Sequence, residues 1–383
     1  MKGFKNVNAY LYGKGIVKTN IGFENGIITY IGNDEVITEQ IECSNDLVIL
    51  PGFIDQHIHG AAGADAMDGS IENLSTIANA IVKEGTTSFL ATTMTQSPEN
   101  INKALTAVKD YILKDVKDGA KVLGAHLEGP FISPKHVGAQ PPQYVVNPSV
   151  EVFDGYVKTS GGNIKIVSFA PEVDGAKDLA KYCVENKIVA SIGHTSAKFN
   201  EANDSVEFGM SSVTHTYNAQ TGLHHRDAGV VGTALLNDKL NCEVICDTIH
   251  VSVPAIKLII KNKPHDKVTL ITDSMRAKHL PDGESELGGQ LVIVKNGEAR
   301  LVDGTLAGSV LKMNDAIKNV VTKVGVPFTD AIDFATANPA KNLGVYAQKG
   351  SIKVGKDADF AVIDKNTFNV LMTVRNGKVV YKA

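Results

Sequence analysis

Short apolar runs broken by glycine turns mark both ends of the chain, while a longer alternation of two periodicities fills the middle. Near the N-terminus, residues 10–18, 19–23 and 27–31 read as strands. Glycine turns such as Glu24-Asn25-Gly26 separate them. At the far end, 351–354, 359–363, 370–375 and 378–381 have the same texture. They are divided by Gly-Lys-Asp and Asn-Gly turns, and Asn-Gly between apolar runs is a hairpin signal. Strand-rich ends around a long middle predict one small β-sandwich domain built from both termini, residues 1–50 with 350–383.

In the middle, a helical pattern over 71–84 stops at Gly85, and the β-branched run 86–92 reads as a strand. Pro98 opens a helix to about residue 117, as proline does near helix starts. Strands follow at 121–126, 164–169, 188–192, 212–216, 241–246 and 268–272, with helices at 177–185, 198–208 and 253–261. Strand and helix in turn predict a parallel sheet. Roughly eight strands over some 220 to 290 residues fit a closed, TIM-like (β/α)8 barrel better than an open sheet. We assign it to residues 51–349. Between 276 and 309 the alternation stops. Gly283, Gly288, Gly289, Gly297 and Gly304 punctuate two strands, 290–295 and 299–302, which predicts a β-hairpin insertion near 277–308. Helices at 311–324 and 329–337 lead back to the β domain. Neither an internal repeat nor a low-complexity linker interrupts the chain.

Composition narrows the function. The 383 residues have ordinary globular usage and a formal charge of -4, which gives no reason to expect nucleic acid or an anionic membrane as partner. No apolar run approaches the ~20 residues that span a bilayer. The start, M-K-G-F-K-N-V-N-A-Y, lacks the apolar stretch of a secretory signal. Cys43, Cys183, Cys242 and Cys246 show no zinc-finger or C-x-x-C spacing and read as reduced thiols of a cytoplasmic protein, the last two in the core.

The polar residues of interest fall where strands end. Residues 51–60 read P-G-F-I-D-Q-H-I-H-G. Strand alternation puts His57 and His59 on one side, with Asp55 a step further in. Two such imidazoles chelate a borderline divalent cation well, although a lone His-x-His reads equally as two solvated or core histidines. Later strand ends supply His126 and Glu128, His194, His215 and Asn218, Asp247 and His250, and Asp273. In a (β/α) barrel all these ends gather on one face, where active sites form. Asp55 and His126 read as supports for the ligands or as fillers of the strand face. Asp65 and Asp68 read as a solvated loop. Arg226, in T-G-L-H-H-R-D-A-G, suits a phosphate dianion, but from the residues alone it reads more readily as an ordinary surface pair with Asp227.

The motifs P-G-F-I-D-x-H-x-H, H-L-E-G-P-F at 126–131, S-I-G-H-T at 191–195, T-H-T-Y-N-A at 214–219, D-T-I-H-V at 247–251, T-D-S-M at 272–275 and L-A-G-S at 306–309 span almost the whole chain in order. In them the chain resembles the amidohydrolase superfamily of metal-dependent hydrolases. Within it, the resemblance is to the branch that takes acetate from N-acetyl-D-glucosamine 6-phosphate and leaves D-glucosamine 6-phosphate. Glu128 is diagnostic, because other branches often place a carbamylated lysine there. The resemblance implies Glu128, His194 and His215 as principal metal ligands, with His57 and His59 helping to hold a second ion. It implies Asp273 as the acid-base group, free or also bound to metal at rest. Ala139, Gln140, Asn218, Ala219, His250, Leu306, Ala307 and Gly308 match sugar-binding positions, Gln140 standing where some members have histidine. Arg226 matches a phosphate-binding arginine that reaches across a homodimer interface. His250 reads as a partner for the carbonyl oxygen or a sugar hydroxyl, or as a helix cap. One or two ions of zinc, iron, manganese or cobalt satisfy such ligands. Cyclic-amide opening, base deamination and a barrel that binds a sugar phosphate without catalysis are the competing functions.

Overall fold

The computed structural model describes residues 1–44 and 46–383. Eight parallel strands follow one another around a barrel: Phe53–Ile58, Thr86–Thr92, Lys121–Glu128, Ile164–Phe169, Val189–Ile192, Met210–Val213, Asn241–Ile245 and Val268–Ile271. Side chains pack both faces of such strands, so they read as apolar or β-branched runs rather than as alternations. The first and last strands share no regular ladder. The ring closes at its rim, where Asp273 N–H donates to His57 O at 2.8 Å and His59 N–H to Ser274 O at 2.9 Å. Deeper in, Thr272 Oγ1 donates to Asp55 at 2.5 Å, so Asp55 ties the two ends of the barrel together.

Helices cover the outside. Ser70 caps Ile71–Ile81, and Ser97 caps Pro98–Leu113, with proline in the first turn. The second stops at Leu113, short of residue 117. Val150–Thr159, capped by Ser149, and Gly229–Leu236 lie outside the helices the sequence predicts. The latter, G-V-V-G-T-A-L-L, is buried on nearly every side and so shows no apolar stripe.

Both termini build one sheet, in the order Lys378–Lys382, Val370–Arg375, Phe360–Asp364, Leu47–Pro51, Lys2–Leu11, Gly15–Glu24, Ile27–Gly32. Phe4, Phe23 and Phe360 meet in its core with ring centroids 5.7 to 6.3 Å apart, Phe4 edge-on to Phe360 and the other two pairs tilted. Two expectations fail here. Residues 10–18 are not one strand but the end of one, a turn at 12–14, and the start of the next; Gly13 and Gly15, both at positive φ, reverse the chain. Residues 351–354 form no strand, because Gly350 and Gly355 at positive φ curl the segment between them into turns. The strand from Lys2 was hidden by a bulge between Phe4 and Val7, where Asn6 at positive φ breaks the alternation.

The insertion has three strands rather than two: Gly283–Leu287, Gln290–Lys295 and Glu298–Leu301. The extra one, G-E-S-E-L, buries only Leu287. Its inner face packs Leu287, Val292, Val294 and Ala299 on Met94, Met275 and Ala307. This sheet lies over the rim of the barrel.

Candidate active site and metal centre

Glu128, at the end of the third barrel strand, is the hub. Its Oε1 lies 3.2 Å from His194 Nε2 and 3.0 Å from His215 Nε2, and the two imidazole nitrogens are 3.1 Å apart. Its Oε2 lies 3.3 Å from His59 Nε2. Asp273 Oδ1 completes that side, 3.2 Å from His59 Nε2 and 3.3 Å from His57 Nε2. The carboxylate therefore bridges two lobes, Glu128–His194–His215 and His57–His59–Glu128, each with its ligand atoms within 4.8 Å of one another.

The supporting bonds fix which nitrogens face inward. His194 Nδ1–H donates to His136 O at 3.0 Å, leaving an Nε2 lone pair toward Glu128. His57 Nδ1–H donates to Glu243 Oε2 at 3.1 Å, and its Nε2 is buried without a hydrogen-bond partner. His59 Nδ1 and His215 Nδ1 are likewise buried and unpartnered. Without a cation, the cluster is satisfied only by drawing protons onto imidazoles. Burial opposes charge on His57, but Asp273 and Glu128 outweigh it and raise the pKa well above the ordinary value. For His59, burial again opposes and the same carboxylates carry the pKa up to about 10. Burial would raise the carboxylates, but the imidazoles hold Glu128 well below its usual range and Asp273 at about 2. Buried anions facing converging nitrogen lone pairs suit a divalent cation, and the His/carboxylate set is one that zinc, iron, manganese and cobalt accept.

Backbone strain marks the same places. His194 (φ 48°), His215 (φ 28°) and Asp273 (φ 48°) are non-glycine residues in the left-handed region, each just past a strand end. Such residues cost about 1–3 kcal/mol each and persist where their surroundings enforce them. Gly308 (φ +62°) backs Asp273, and a Cβ there would come 3.1 Å from Asp273 O.

A third cluster, His57–His126–Glu243, has metal-ligand spacing but is already complete. Glu243 Oε1 accepts from Gln56 at 2.7 Å, and His126 bonds Ser168 Oγ at 2.6 Å and Gln56 O at 3.2 Å. Burial, then His57, holds His126 down to about 3, so it stays neutral. The cluster supports the ligands rather than adding one.

A cleft opens onto the two lobes. Of the residues singled out in the sequence, His59, Glu128, Ala139, Gln140, His194, His215, Asn218, Ala219, His250, Asp273, Leu306 and Gly308 line it. His57 sits behind, fully buried, and Ala307 is buried beside the lining. His250 presents its ring with Nδ1 bonded to Asp247 at 2.6 Å. Gln140 has both ends of its amide engaged by protein, Nε2 on Glu128 Oε2 at 2.8 Å and Oε1 on Thr95 N–H at 2.7 Å. Arg226 is exposed, away from the cleft lining, and contacts His225 at 2.7 Å. It does not pair with Asp227, whose carboxylate accepts from Phe199 and Gly229 N–H instead. Asp65 is buried, not solvated, because it caps the turn Ala66–Asp68; Asp68 pairs with Arg276 at 2.9 Å. Glu243 escaped sequence reasoning. Its position mid-strand in N-C-E-V-I, an acid in an apolar run, was the available signal.

A strand-rich terminal sheet, an eight-stranded parallel barrel and a His-x-His, Glu, His, His, Asp rim define a metal-dependent hydrolase of the amidohydrolase family, and the chain belongs to that family, whose model matches residues 48–380. More narrowly, it is 42% identical to the N-acetylglucosamine-6-phosphate deacetylase of Bacillus subtilis (strain 168), over 94% of this chain and 92% of that one. It is 34% identical to the N-acetylgalactosamine-6-phosphate deacetylase of Escherichia coli O157:H7, over 83% of this chain and 84% of that one. The crystal structure of N-acetylglucosamine-6-phosphate deacetylase from Thermotoga maritima superposes with a TM-score of 0.90 at 34% identity, covering 100% of both chains. No helix among the described residues is long and apolar enough to cross a membrane.

Proposed function

We propose that the chain hydrolyses the acetamide of N-acetyl-D-glucosamine 6-phosphate, giving D-glucosamine 6-phosphate and acetate in amino-sugar catabolism. The observation that carries the proposal is the bridging carboxylate: Glu128 faces His194 and His215 with one oxygen and His59 with the other, directly beside Asp273. In our reading Glu128, His194 and His215 hold one divalent cation, and His57, His59 and Glu128 hold a second. A cation bound there supplies Lewis-acid polarisation of the amide carbonyl and makes water acidic enough to ionise near neutrality. Asp273, kept ionised by its imidazole neighbours, takes the proton of the attacking water and passes it to the amide nitrogen, which cannot leave as an anion. His250, oriented by Asp247, offers its ring to the carbonyl oxygen or a sugar hydroxyl. Asn218 and the backbone at Ala139, Ala219 and 306–308 hold the sugar.

Arg226 binds the 6-phosphate of a neighbouring subunit's substrate in a homodimer, which accounts for its exposure on a loop outside its own cleft. We place the enzyme in the cytoplasm, and divide it at 1–50 with 350–383 against 51–349. The relative named for the galactosamine epimer keeps a second substrate open. Purified protein supplied with each candidate cation, given either epimer, tests the reading. Release of free amine and acetate from the glucosamine compound, lost by about 10²- to 10⁴-fold in kcat in Asp273→Asn, is the expected result. Full activity in that variant rejects the role of Asp273. Faster turnover of an amide lacking phosphate rejects the substrate.

A further inference from the structure

The cleft lining is of two chemical kinds. Asn218, His250, Thr305 and the backbone around Ala219 and Gly308 offer hydrogen bonds. Met94 and Leu287 line the same cleft with apolar side chains. Met94 stands beside the reacting centre, because the next residue, Thr95, donates its N–H to Gln140, which in turn donates to Glu128. The two side chains are 1% and 2% exposed, although both line an open cleft. Nothing in the hydrolytic chemistry uses either. The hydroxyls of a sugar phosphate ring its edge, and the methyl of an N-acetylated sugar is its terminal apolar group.

We propose that Met94 and Leu287 form the pocket for the acyl methyl and set the length of acyl group the enzyme removes. The inference rests on the deacetylase reading given above. Methionine alone makes a deformable wall. Here its end rests on the inserted sheet: Gly288, the residue after Leu287, has no side chain, and a Cβ there would lie 3.3 Å from both the sulfur and the terminal methyl of Met94. Gln96 Nε2 donates to Gly288 O at 3.4 Å, and Gln290 Nε2 donates to Ala139 O at 2.7 Å. These bonds hold the inserted sheet down against the rim. Lengthening acetyl by one methylene therefore forces Met94 against a fixed sheet rather than into open space.

The N-acetyl, N-propionyl and N-butyryl forms of glucosamine 6-phosphate, turned over by metal-loaded wild type, Met94→Ala, Leu287→Ala and Met94→Phe, test this. Wild type should lose roughly 10- to 200-fold in kcat/KM for the first added methylene, the discrimination a fitted apolar pocket provides. Met94→Ala and Leu287→Ala should each raise the propionyl-to-acetyl ratio by on the order of 10-fold, and Met94→Phe should lower the acetyl rate. Should Met94→Ala fail to fold, Leu287→Ala reads the same wall from the inserted sheet. An unchanged ratio in folded, acetyl-active variants overturns the proposal, as does a wild type that takes propionyl as readily as acetyl. Failure of wild type on every member of the series would instead overturn the deacetylase reading.

Discussion

Histidines meet carboxylates both at the rim of the barrel and at a seam of the fold, and of these two the rim suits a metal. At the rim, four imidazoles surround Glu128, and two of them, His57 and His59, also meet Asp273. At the seam between the terminal sheet and the barrel, Tyr10 Oη donates to Asp333 Oδ1 at 2.7 Å, and His265 Nε2 bonds Asp333 Oδ2 at 3.0 Å. There each carboxylate oxygen already has a hydrogen pointing at it. Tyr10 keeps its proton, held upward by burial and then by Asp333. At the rim the counting fails. His57 Nε2 is buried without a hydrogen-bond partner, and the His194 and His215 Nε2 atoms face each other across 3.1 Å. The composition of a cluster says little, whereas lone pairs set against hydrogens show what is missing.

Glu128→Gln should break the contrast most severely. The amide keeps the shape but removes the shared charge, so both lobes should lose their ion. Metal measured by plasma emission should fall toward zero and acetate release should vanish, while the seam, which needs no ion, should leave the fold intact by circular dichroism. Full metal content in this variant would remove Glu128 from the centre.

Glu243→Gln acts chiefly through the side chain of His57, on the second lobe. It leaves His57 Nδ1–H with a weaker acceptor and frees the ring to turn. Loss of such outer partners costs about 10- to 100-fold in metal affinity or activity. The expected signature is a titration in which one ion weakens and the other holds. Equal weakening of both would mean that Glu243 supports the barrel generally, since it also accepts from His215 N–H at 3.3 Å. Smaller again is Gln140→Leu, which strands Thr95 N–H and releases Glu128 Oε2. A buried group left unsatisfied costs about 1–3 kcal/mol, so the melting temperature should drop while the KM for substrate stays near that of wild type. A raised KM with unchanged stability would return Gln140 to direct substrate contact.

The rim was far more legible than the seam. His57 and His59 sit two apart at the end of one strand, Glu128 ends another, and His194, His215 and Asp273 each follow an apolar strand, so period and position gave them away together. Tyr10, His265 and Asp333 lie on unrelated elements with no shared spacing. Local sequence also concealed what holds the rim. Nothing in G-H-T or T-D-S announces a left-handed backbone at His194 or Asp273, because the strain is enforced by neighbours remote in the chain, such as Gly308 behind Asp273. The barrel strands were visible because burial on both faces selects apolar runs, whereas Gly229–Leu236, equally buried, lost the stripe that identifies a helix.

The smallest expected effect belongs to the seam and runs with pH. His265 is raised above its ordinary value of 6.5, first by its bond to Asp333, and burial opposes only in part. A histidine raised on folding binds its proton more tightly in the native state. Its contribution is complete below 6.5 and is lost as the pH climbs through the raised value. His265→Gln should therefore melt below wild type at acid pH, and the gap should close in alkali. The ring is more than one-third exposed, so water and salt screen the pair and the gap stays at or below about 1 kcal/mol. Chelation tells the two clusters apart in the same experiment. Removing metal should lower the melting temperature of both proteins equally and leave this pH-dependent gap untouched. A gap that shrank with chelation would show that the seam and the rim share one charge network rather than two.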